Sequence, residues 1–235
     1  MKREPTFKTE ADLCAAFIAA AEKSGDWRAY PETSAWDILL VHRDGTQIGI
    51  EAKLRFNLAV LVQAVERPYS VNGPDFRAVL VPQEAGSNSD LCAAMGLTPI
   101  RMQGRGRYFY PVLPPGDRDQ WHFCNPEQRC SLPEYVPDVP AGVSSPVVLS
   151  PWKIGALKIT ALLETKGYVT RSDFLGVGIN HRRWTEAWLE AVPDRPGAWR
   201  WRDGQSQGFE KQHPGVYPQV LAKIKTSHVE QGQLG

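Results

Sequence analysis

Three charged residues in a short, largely apolar stretch are of types that could act together chemically. Asp37 lies in the segment WDILLVHR, and Glu51 and Lys53 lie in the following segment TQIGIEAKLR. Carboxylate oxygens are the hard ligands that Mg²⁺ prefers, and Mg²⁺ keeps several waters and takes phosphate oxygens to complete its shell. An ammonium group beside it could orient an attacking water or stabilise charge on a phosphate. These residue types therefore suit metal-dependent chemistry on a phosphate group.

The loop between the two segments decides whether the two carboxylates meet. A two-residue turn at Asp44 and Gly45 would pair Asp37 with Ala52, because strand pairing is antiparallel across a hairpin. Asp37 and Glu51 would then lie on opposite faces of the sheet, since successive side chains alternate. That register brings no site together.

A three-residue loop at 43–45 gives the other register. It places Asp37 directly opposite Glu51, with Cβ atoms about 5 Å apart and with Lys53 on the same face. Glycine at the third loop position suits the left-handed conformation that such loops need. Two carboxylates so close repel each other unless a divalent cation lies between them. We therefore predict this register and a cation site.

The elements that must position these residues form an α/β order. Thr9 and Asp12 predict the start of a helix from about Glu10 to Lys23, with Glu10 on the inward face. The other predicted elements are strands at DWRAYPE, WDILLVHR and TQIGIEAKLR, a helix at NLAVLVQAVER, a strand at FRAVLVP, a short helix at SNSDLCAAMG and a strand at LTPIRM. This order predicts a mixed central sheet flanked by helices.

The pattern resembles the PD-(D/E)xK phosphodiesterase superfamily, which includes the restriction-endonuclease-like and Holliday-resolvase-like nucleases. The resemblance implies that Asp37 and Glu51 hold Mg²⁺, which Mn²⁺ can replace. It also implies that Lys53 assists the attacking water and that Gln63, on the helix LVQAVER, supports the site. Glu10 would be an optional third metal ligand.

The resemblance covers about Thr9 to Met102, with two departures from the family pattern. Trp36 stands where the family name has proline. The interval from Gln63 to Tyr69 is too long for the helical QxxxY arrangement of the exonuclease relatives, which favours an endonuclease.

Composition narrows the class of protein. The chain has 235 residues, 42% of them hydrophobic and 23% charged, so it can form two small globular domains. The net charge of +1 means that any nucleic-acid surface must be local. The sequence contains neither a signal-peptide pattern nor an apolar run long enough for a membrane helix, so we expect a cytoplasmic protein with no membrane partner.

The predicted domains are 1–102, the nuclease-like domain, and 152–226, a smaller winged helix-turn-helix domain. The proline-rich segment 103–151 between them is a linker or an irregular packing arm, because its prolines exclude long helices. A flexible tail, 227–235, is expected to follow.

The second half resembles winged-helix domains in its element order and in where its basic residues lie. Asn180 is a suitable N-cap for a helix whose Trp184 and Trp188 face the core. The outward positions of this helix would enter the major groove, and two arginines of the next strand and loop would meet phosphates. The predicted DNA-binding residues are His181, Arg182, Arg183, Thr185, Arg200 and Arg202.

Two other groups of residues give weaker indications of function. His122, Cys124 and Cys130 have a spacing that matches no common zinc pattern, which favours packed side chains in an irregular arm. The run GRGRYFY contains Arg105, Arg107, Tyr108 and Tyr110, which could contact phosphates or could form an ordinary edge strand.

The sequence thus predicts a Mg²⁺-dependent endonuclease acting on double-stranded or branched DNA. A homodimer would fit a family in which many members pair to cut both strands. A DNA-binding regulator or interaction protein that kept the fold without catalysis is the alternative, and an RNA substrate is a third possibility.

Overall fold

The computed structural model describes residues 7–65, 72–82, 89–103, 108–143, 149–203 and 207–232. The chain divides into two compact units, with the boundary between Val147 and Val148. Each unit is described by itself below. In the described ranges, no helix combines the length and the apolar character needed to cross a membrane.

The first unit is α/β and is built on a mixed six-stranded sheet. Its elements are α1 (Glu10–Ala21), a 3-10 turn (Glu22–Ser24), β1 (Trp27–Thr33), β2 (Trp36–His42), β3 (Gln47–Ala52), α2 (Leu58–Val65), β4 (Asn72–Gly73), β5 (Phe76–Val81), α3 (Ser89–Ala94), β6 (Thr98–Gln103), β7 (Tyr108–Tyr110), a second 3-10 turn (Arg118–Gln120) and β8 (Gln128–Arg129). The sheet order is β1-β2-β3-β5-β6-β7. Neighbours are antiparallel except β3, β5 and β6, which run parallel.

The helices cover both faces of this sheet, as the sequence predicted. The α1-side core contains Leu13, Cys14, Phe17, Ile38, Leu40, Ile48, Ile50, Ala52, Ala78, Leu80 and Ile100, among others. The α2-side core contains Trp36, Leu39, Val60, Leu61, Ala64, Val79, Val81, Cys92 and Leu97. Each large side chain that is fully buried contributes about 1.5–3 kcal/mol to stability. Two cores on a shared sheet therefore hold its strands rigidly.

The local signals for the helices agree with the structure. Thr9 and the N3 residue Asp12 form a reciprocal capping box, which satisfies free N–H groups at the start of α1. The helical stretch closes at Gly25, which has a left-handed backbone with φ 78°. At α2, the side chain of Asn57 accepts a hydrogen bond from Val60 N–H at 3.1 Å.

Strand β3 alternates polar and apolar residues in sequence, a pattern typical of a half-exposed strand, yet all six of its residues are buried. The polar residues Gln47 and Glu51 are only 3% and 8% exposed. Gln47 is satisfied by the backbone of Cys130, to which its amide donates at 2.9 Å and from which it accepts at 2.8 Å. A later segment of the chain therefore covers the face that the sequence pattern suggested was solvated.

That segment, residues 108–143, is the packed arm of the first unit. Strand β7 adds the sixth strand to the sheet, and Trp121 and Ala141 lie in the α1-side core. The Thr98 hydroxyl donates to Gln120 O at 2.9 Å. The first unit therefore extends well beyond the domain end predicted at residue 102, and 108–143 packs against it rather than linking two bodies.

The second unit combines helices with a small antiparallel sheet. Its elements are α4 (Pro151–Lys166), β9 (Val169–Thr170), α5 (Arg171–Gly176), α6 (Arg182–Ala187), β10 (Leu189–Ala191), β11 (Ala198–Trp201), α7 (Phe209–Gln212) and α8 (Tyr217–Gly232). The sheet order is β10-β11-β9. Helix α8 continues through most of the stretch predicted to be a flexible tail.

Aromatic rings build the core of the second unit. Trp184 is 1% exposed and is surrounded by other rings at centroid distances of 5.1–6.0 Å. These rings belong to Phe174, Trp188, Trp201 and Phe209. The predicted inward position of Trp184 and Trp188 on α6 agrees with this cluster, which fixes the opposite face of α6 toward solvent.

Candidate active site

The β2–β3 hairpin adopts the register predicted from a three-residue loop. His42 N–H donates to Thr46 O at 2.8 Å, and the strand pairs run from Val41 with Gln47 to Ile38 with Ile50. Gly45 in the loop has φ 90°, a conformation that favours glycine. One step beyond the last pair, the same register sets position 37 opposite position 51.

The pairing of β1 with β2 skips one pair of residues, Glu32 and Asp37. Glu32 has a left-handed backbone with φ 49°. Although they are two residues apart, Trp36 packs in the α2-side core and Ile38 packs in the α1-side core. Interruptions of this kind re-aim a side chain. Asp37 therefore does not follow the strict alternation of strand side chains. The prediction that Asp37, Glu51 and Lys53 share one face of the sheet depended on that alternation.

The Asp37 carboxylate lies against the end of β3. Its Oδ2 accepts a hydrogen bond from Ala52 N–H at 2.7 Å. Burial raises the pKa of Asp37; the Ala52 N–H and the Lys53 charge oppose this rise, and the Glu10 carboxylate adds to it. Burial thus makes the negative charge costly, and a bound cation would offset that cost.

Lys53 follows directly after β3 and extends toward α1. Its backbone N–H donates to Leu80 O at 3.0 Å, and its Nζ lies 2.9 Å from Glu10 Oε2. Burial by itself lowers the pKa of Lys53, but its hydrogen bond to Glu10 and the charges of Glu10, Asp37 and Glu51 raise the pKa overall. Lys53 is therefore held as an ammonium ion.

Glu10 is the first residue of α1, where the helix dipole favours a negative charge. The structure uses its carboxylate as the partner of Lys53, where the sequence predicted a third metal ligand. Within the described ranges, no group of three or more His, Cys, Asp or Glu side chains is arranged to hold a metal ion. Any metal here would depend on fewer protein ligands and on water or substrate oxygens.

Glu51 is buried in β3, where it pairs in register with Val79 of β5. Its neighbours Ile50 and Ala52 face the α1-side core, so alternation turns Glu51 toward the other face. Its negative charge still acts on Lys53. The two predicted metal ligands thus come from opposed strand positions, but they approach the end of β3 from different directions.

Gln63 is exposed on α2, whose Val60, Leu61 and Ala64 face the sheet. Its place on the helix after β3 agrees with the predicted order of elements. Its side chain is on the solvent side of that helix rather than packed against β3.

Sequence reasoning missed Glu32, which the structure brings to this cluster. Its Oε1 accepts hydrogen bonds from Gly142 N–H at 2.7 Å and from Val143 N–H at 3.2 Å. Burial raises the pKa of Glu32 against the effect of these two donors, and Asp37 adds to the rise. Its only local signal is a place near the end of a strand, so the contact with the packed arm was not predictable.

Cys14 lies beneath these carboxylates in the α1-side core. Burial, followed by the charges of Asp37, Glu10 and Glu32, raises its pKa to about 12. The thiol is therefore protonated and acts as a small apolar side chain.

In the second unit, the residues predicted on α6 differ in exposure. Arg182 and Arg183 are exposed. The His181 ring is partly buried between Phe174 and Trp199, at centroid distances of 6.3 and 5.7 Å. Thr185 is also partly buried, and its hydroxyl donates to the backbone of α6 at Arg182 O. The two arginines are therefore the residues of this set with exposed side chains.

The two arginines predicted to meet phosphates from the strand are engaged within the unit. Arg200 forms an ion pair with Glu190 across the β10–β11 pair at 2.8 Å. Arg202 donates to the backbone oxygens of Leu189, Thr185 and Glu186 at 2.9, 3.2 and 2.8 Å. Arg202 thus satisfies carbonyls at the end of α6, a structural role that the alternating pattern did not reveal.

The remaining candidates are His122, Cys124 and Cys130 and the run GRGRYFY, and among the described residues His122, Cys124 and Cys130 form no metal-binding group. Cys124 and Cys130 are free cysteines, and the Cys124 thiol donates weakly to His122 O at 3.8 Å. Tyr108 and Tyr110 lie on the edge strand β7, while Arg105 and Arg107 lie outside the described residues.

Comparisons of the chain with protein-family models, with curated proteins and with solved structures found no match. The resemblance to the PD-(D/E)xK superfamily therefore depends on the order of elements and on the residues of this cluster.

Proposed function

We propose that the first unit is a Mg²⁺-dependent DNA endonuclease. The observation that carries the proposal is the convergence of Asp37 and Lys53 at the end of β3, the strand that also carries Glu51. The predicted hairpin register and the order α1, β1–β3, α2, β5 support it, because the resemblance to the PD-(D/E)xK superfamily implies the same order of elements.

The charges of the cluster suit a divalent cation. The charges of Glu10, Asp37 and Glu51 all act on the ammonium of Lys53, and Glu10 contacts it at 2.9 Å. Asp37 and Glu51 would hold Mg²⁺ or Mn²⁺, since both offer hard oxygen ligands. Bound there, the ion would supply a hydroxide-like water for attack on the phosphodiester.

Lys53 has an electrostatic role in this mechanism. The carboxylates around it keep its pKa raised, so it does not serve as a general base near neutral pH. Its ammonium stabilises the negative charge that develops on the phosphate oxygens. Glu10 holds that ammonium in place at 2.9 Å before substrate arrives.

We infer that the second unit is a winged-helix module that binds DNA through α6. The order α4, β9, α5, α6, β10, β11 supports this, since it alternates helices and strands as winged helices do. Arg182 and Arg183 are exposed on α6, while Trp184 anchors the helix in the core. The phosphate contacts are assigned to these two arginines rather than to Arg200 and Arg202.

Nicking of supercoiled plasmid in Mg²⁺ or Mn²⁺ tests the enzymatic proposal. We expect Asp37→Asn, which keeps the side-chain shape, and Lys53→Met each to lower the cleavage rate at least about 100-fold. Asp26→Asn is the control, because Asp26 is a carboxylate of the same unit that pairs with Arg43 instead. Equal rates for wild type and Asp37→Asn would rule the proposed site out.

A non-catalytic DNA-binding protein is the second candidate. The closed Glu10–Lys53 ion pair favours it, as does the lack of a three-ligand metal group in the part of the chain described. Tight binding of duplex or branched DNA with no cleavage under either metal would support this candidate. Cleavage of structured RNA with DNA untouched would keep the chemistry and change the substrate.

A further inference from the structure

The Glu32 carboxylate joins two distant parts of the first unit. Its Oε1 accepts from Gly142 N–H at 2.7 Å and from Val143 N–H at 3.2 Å, across 110 and 111 residues of sequence. Hydrogen bonds to a charged acceptor are stronger than neutral ones. Glu32 therefore fastens the end of the packed arm to β1.

The fastened end of the arm lies against the start of α1. Gly142 has φ 74°, and a Cβ at this position would lie 3.1 Å from Cys14 Sγ and 3.2 Å from the carbonyl carbon of Glu10. The arm therefore contacts the turn of α1 that presents Glu10 to Lys53. A shift of the arm would release that turn.

The backbone of Glu32 also acts on Asp37. A φ of 49° is unfavourable for a residue with a side chain, and it persists only when other contacts hold it. The bonds to the arm are such contacts. Because Glu32 and Asp37 form the skipped pair of the β1–β2 ladder, the conformation of Glu32 is coupled to the direction of Asp37.

We propose that Glu32 is a positioning residue for this site: it holds the arm against α1, which keeps Glu10 on Lys53, and it keeps Asp37 turned toward β3. Glu32 acts through these residues and needs no contact with substrate. Its consequence for cleavage rests on the proposed function, whereas its effect on the geometry of Lys53 does not.

Trace acylation of lysines in the full chain, read by mass spectrometry, tests the geometry without any substrate. In Glu32→Ala we expect Lys53 to react about tenfold faster, because its amine loses the hydrogen bond to Glu10 that now holds it at 2.9 Å. Glu32→Gln keeps an oxygen acceptor and should restore most of the protection. Asp26→Asn removes a carboxylate that pairs with Arg43 in the same unit and should leave Lys53 unchanged.

Gly142→Ala should also displace the arm, because the added Cβ would crowd Cys14 and Glu10 of α1. It therefore gives a second, independent way to disturb the same contact. If both variants act through one contact, the Glu32→Ala/Gly142→Ala double variant should expose Lys53 no more than the stronger single variant. Additive effects, or a Lys53 rate in Glu32→Ala equal to that of wild type, would overturn the proposal. Equal acceleration of every lysine would do the same, since it reports general loosening.

Cleavage assays on the same variants separate this inference from the proposed function. If Glu32→Ala exposes Lys53 to acylation while the wild type cleaves no DNA, the nuclease proposal is wrong and the positioning role of Glu32 stands. If the wild type cleaves DNA, and Glu32→Ala cleaves it equally well with Lys53 still protected, the positioning role of Glu32 is wrong and the nuclease proposal stands.

Discussion

The chemistry of Lys53 is decided by the charges around it rather than by its burial. Burial alone would lower the pKa of its amine, yet Glu10, Asp37 and Glu51 together raise it. The contribution of these contacts to stability is present at neutral pH and is lost only as the pH rises through the raised pKa. Because both side chains of the Glu10–Lys53 pair are partly exposed, at 26% and 30%, the pair contributes no more than about 1 kcal/mol to stability.

At Asp37 the fold disfavours the charged form of the side chain, whereas at Lys53 it favours the charged form. Its raised pKa means that the folded state binds its proton more tightly than the unfolded chain, so stability falls as the pH rises through the raised pKa. We expect Asp37→Asn to increase the free energy of unfolding at pH 7, in metal-free buffer, by about 0.5–2 kcal/mol. Urea unfolding at pH 7 and pH 4 measures this.

The gain from Asp37→Asn should shrink at pH 4, where the wild-type carboxyl is protonated more often in both states. Added Mg²⁺ should stabilise the wild type and leave the variant unchanged, because the variant lacks the charged ligand. Equal unfolding free energies for the two proteins at pH 7 would mean that the Asp37 charge carries no cost in the fold.

Among the elements, the β2–β3 hairpin leaves no room for a larger side chain at Gly49, on the face of the sheet that α2 covers. A Cβ on Gly49 would lie 2.4 Å from the Trp36 ring, closer than real carbon contacts allow. Gly49→Ala should therefore force Trp36 or β3 to move and destabilise the first unit by about 1–3 kcal/mol. Thermal unfolding followed by tryptophan fluorescence measures the loss.

Gly176→Ala is the matched control for that substitution, since a Cβ there meets no atom within 4 Å. It should leave stability nearly unchanged. An unfolding midpoint for Gly49→Ala as high as that of wild type would show that the Trp36 ring yields without cost.

At this scale, short-range signals in the sequence were sufficient for the helices and the hairpin. The capping box at Thr9 and Asp12 and the glycine of the 43–45 loop are local, and they set the start of α1 and the register of β3. The skipped pair of the β1–β2 ladder was not predictable, because Glu32 adopts its backbone with help from Gly142. Contacts of such long range leave no local pattern.

Across the whole molecule, the same limit explains the extent of the first unit. Prolines correctly indicated that the described segment 108–143 contains no long helix, but its attachment depends on pairs such as Gln47 with Cys130 and Asp75 with Arg129. The burial of Gln47, on a strand that alternates polar and apolar residues, follows from its bonds to Cys130 of this arm. A periodic pattern reports the faces of one strand and says nothing of a distant segment that covers them.

The two units make separable contributions if the second unit binds DNA through α6. Arg182→Ala/Arg183→Ala should weaken duplex binding, and the slope of log affinity against log salt should fall in magnitude by about 2, since each phosphate contact contributes about 0.9. Fluorescence anisotropy with a labelled duplex over a salt series measures both quantities. Cleavage should show a raised KM with kcat largely retained, because the residues of the first unit are untouched.

Arg200→Ala tests the competing assignment, in which the strand β11 contacts the phosphates. Arg200 is paired with Glu190 at 2.8 Å, so its loss should leave the salt slope unchanged and cost at most about 1 kcal/mol of stability. If Arg200→Ala lowered the slope while the α6 double variant did not, the strand rather than the helix would be the DNA-binding element. The small change expected for Arg200 follows from its ion pair with Glu190 across the β10–β11 pair, whereas Arg182 and Arg183 are exposed on α6.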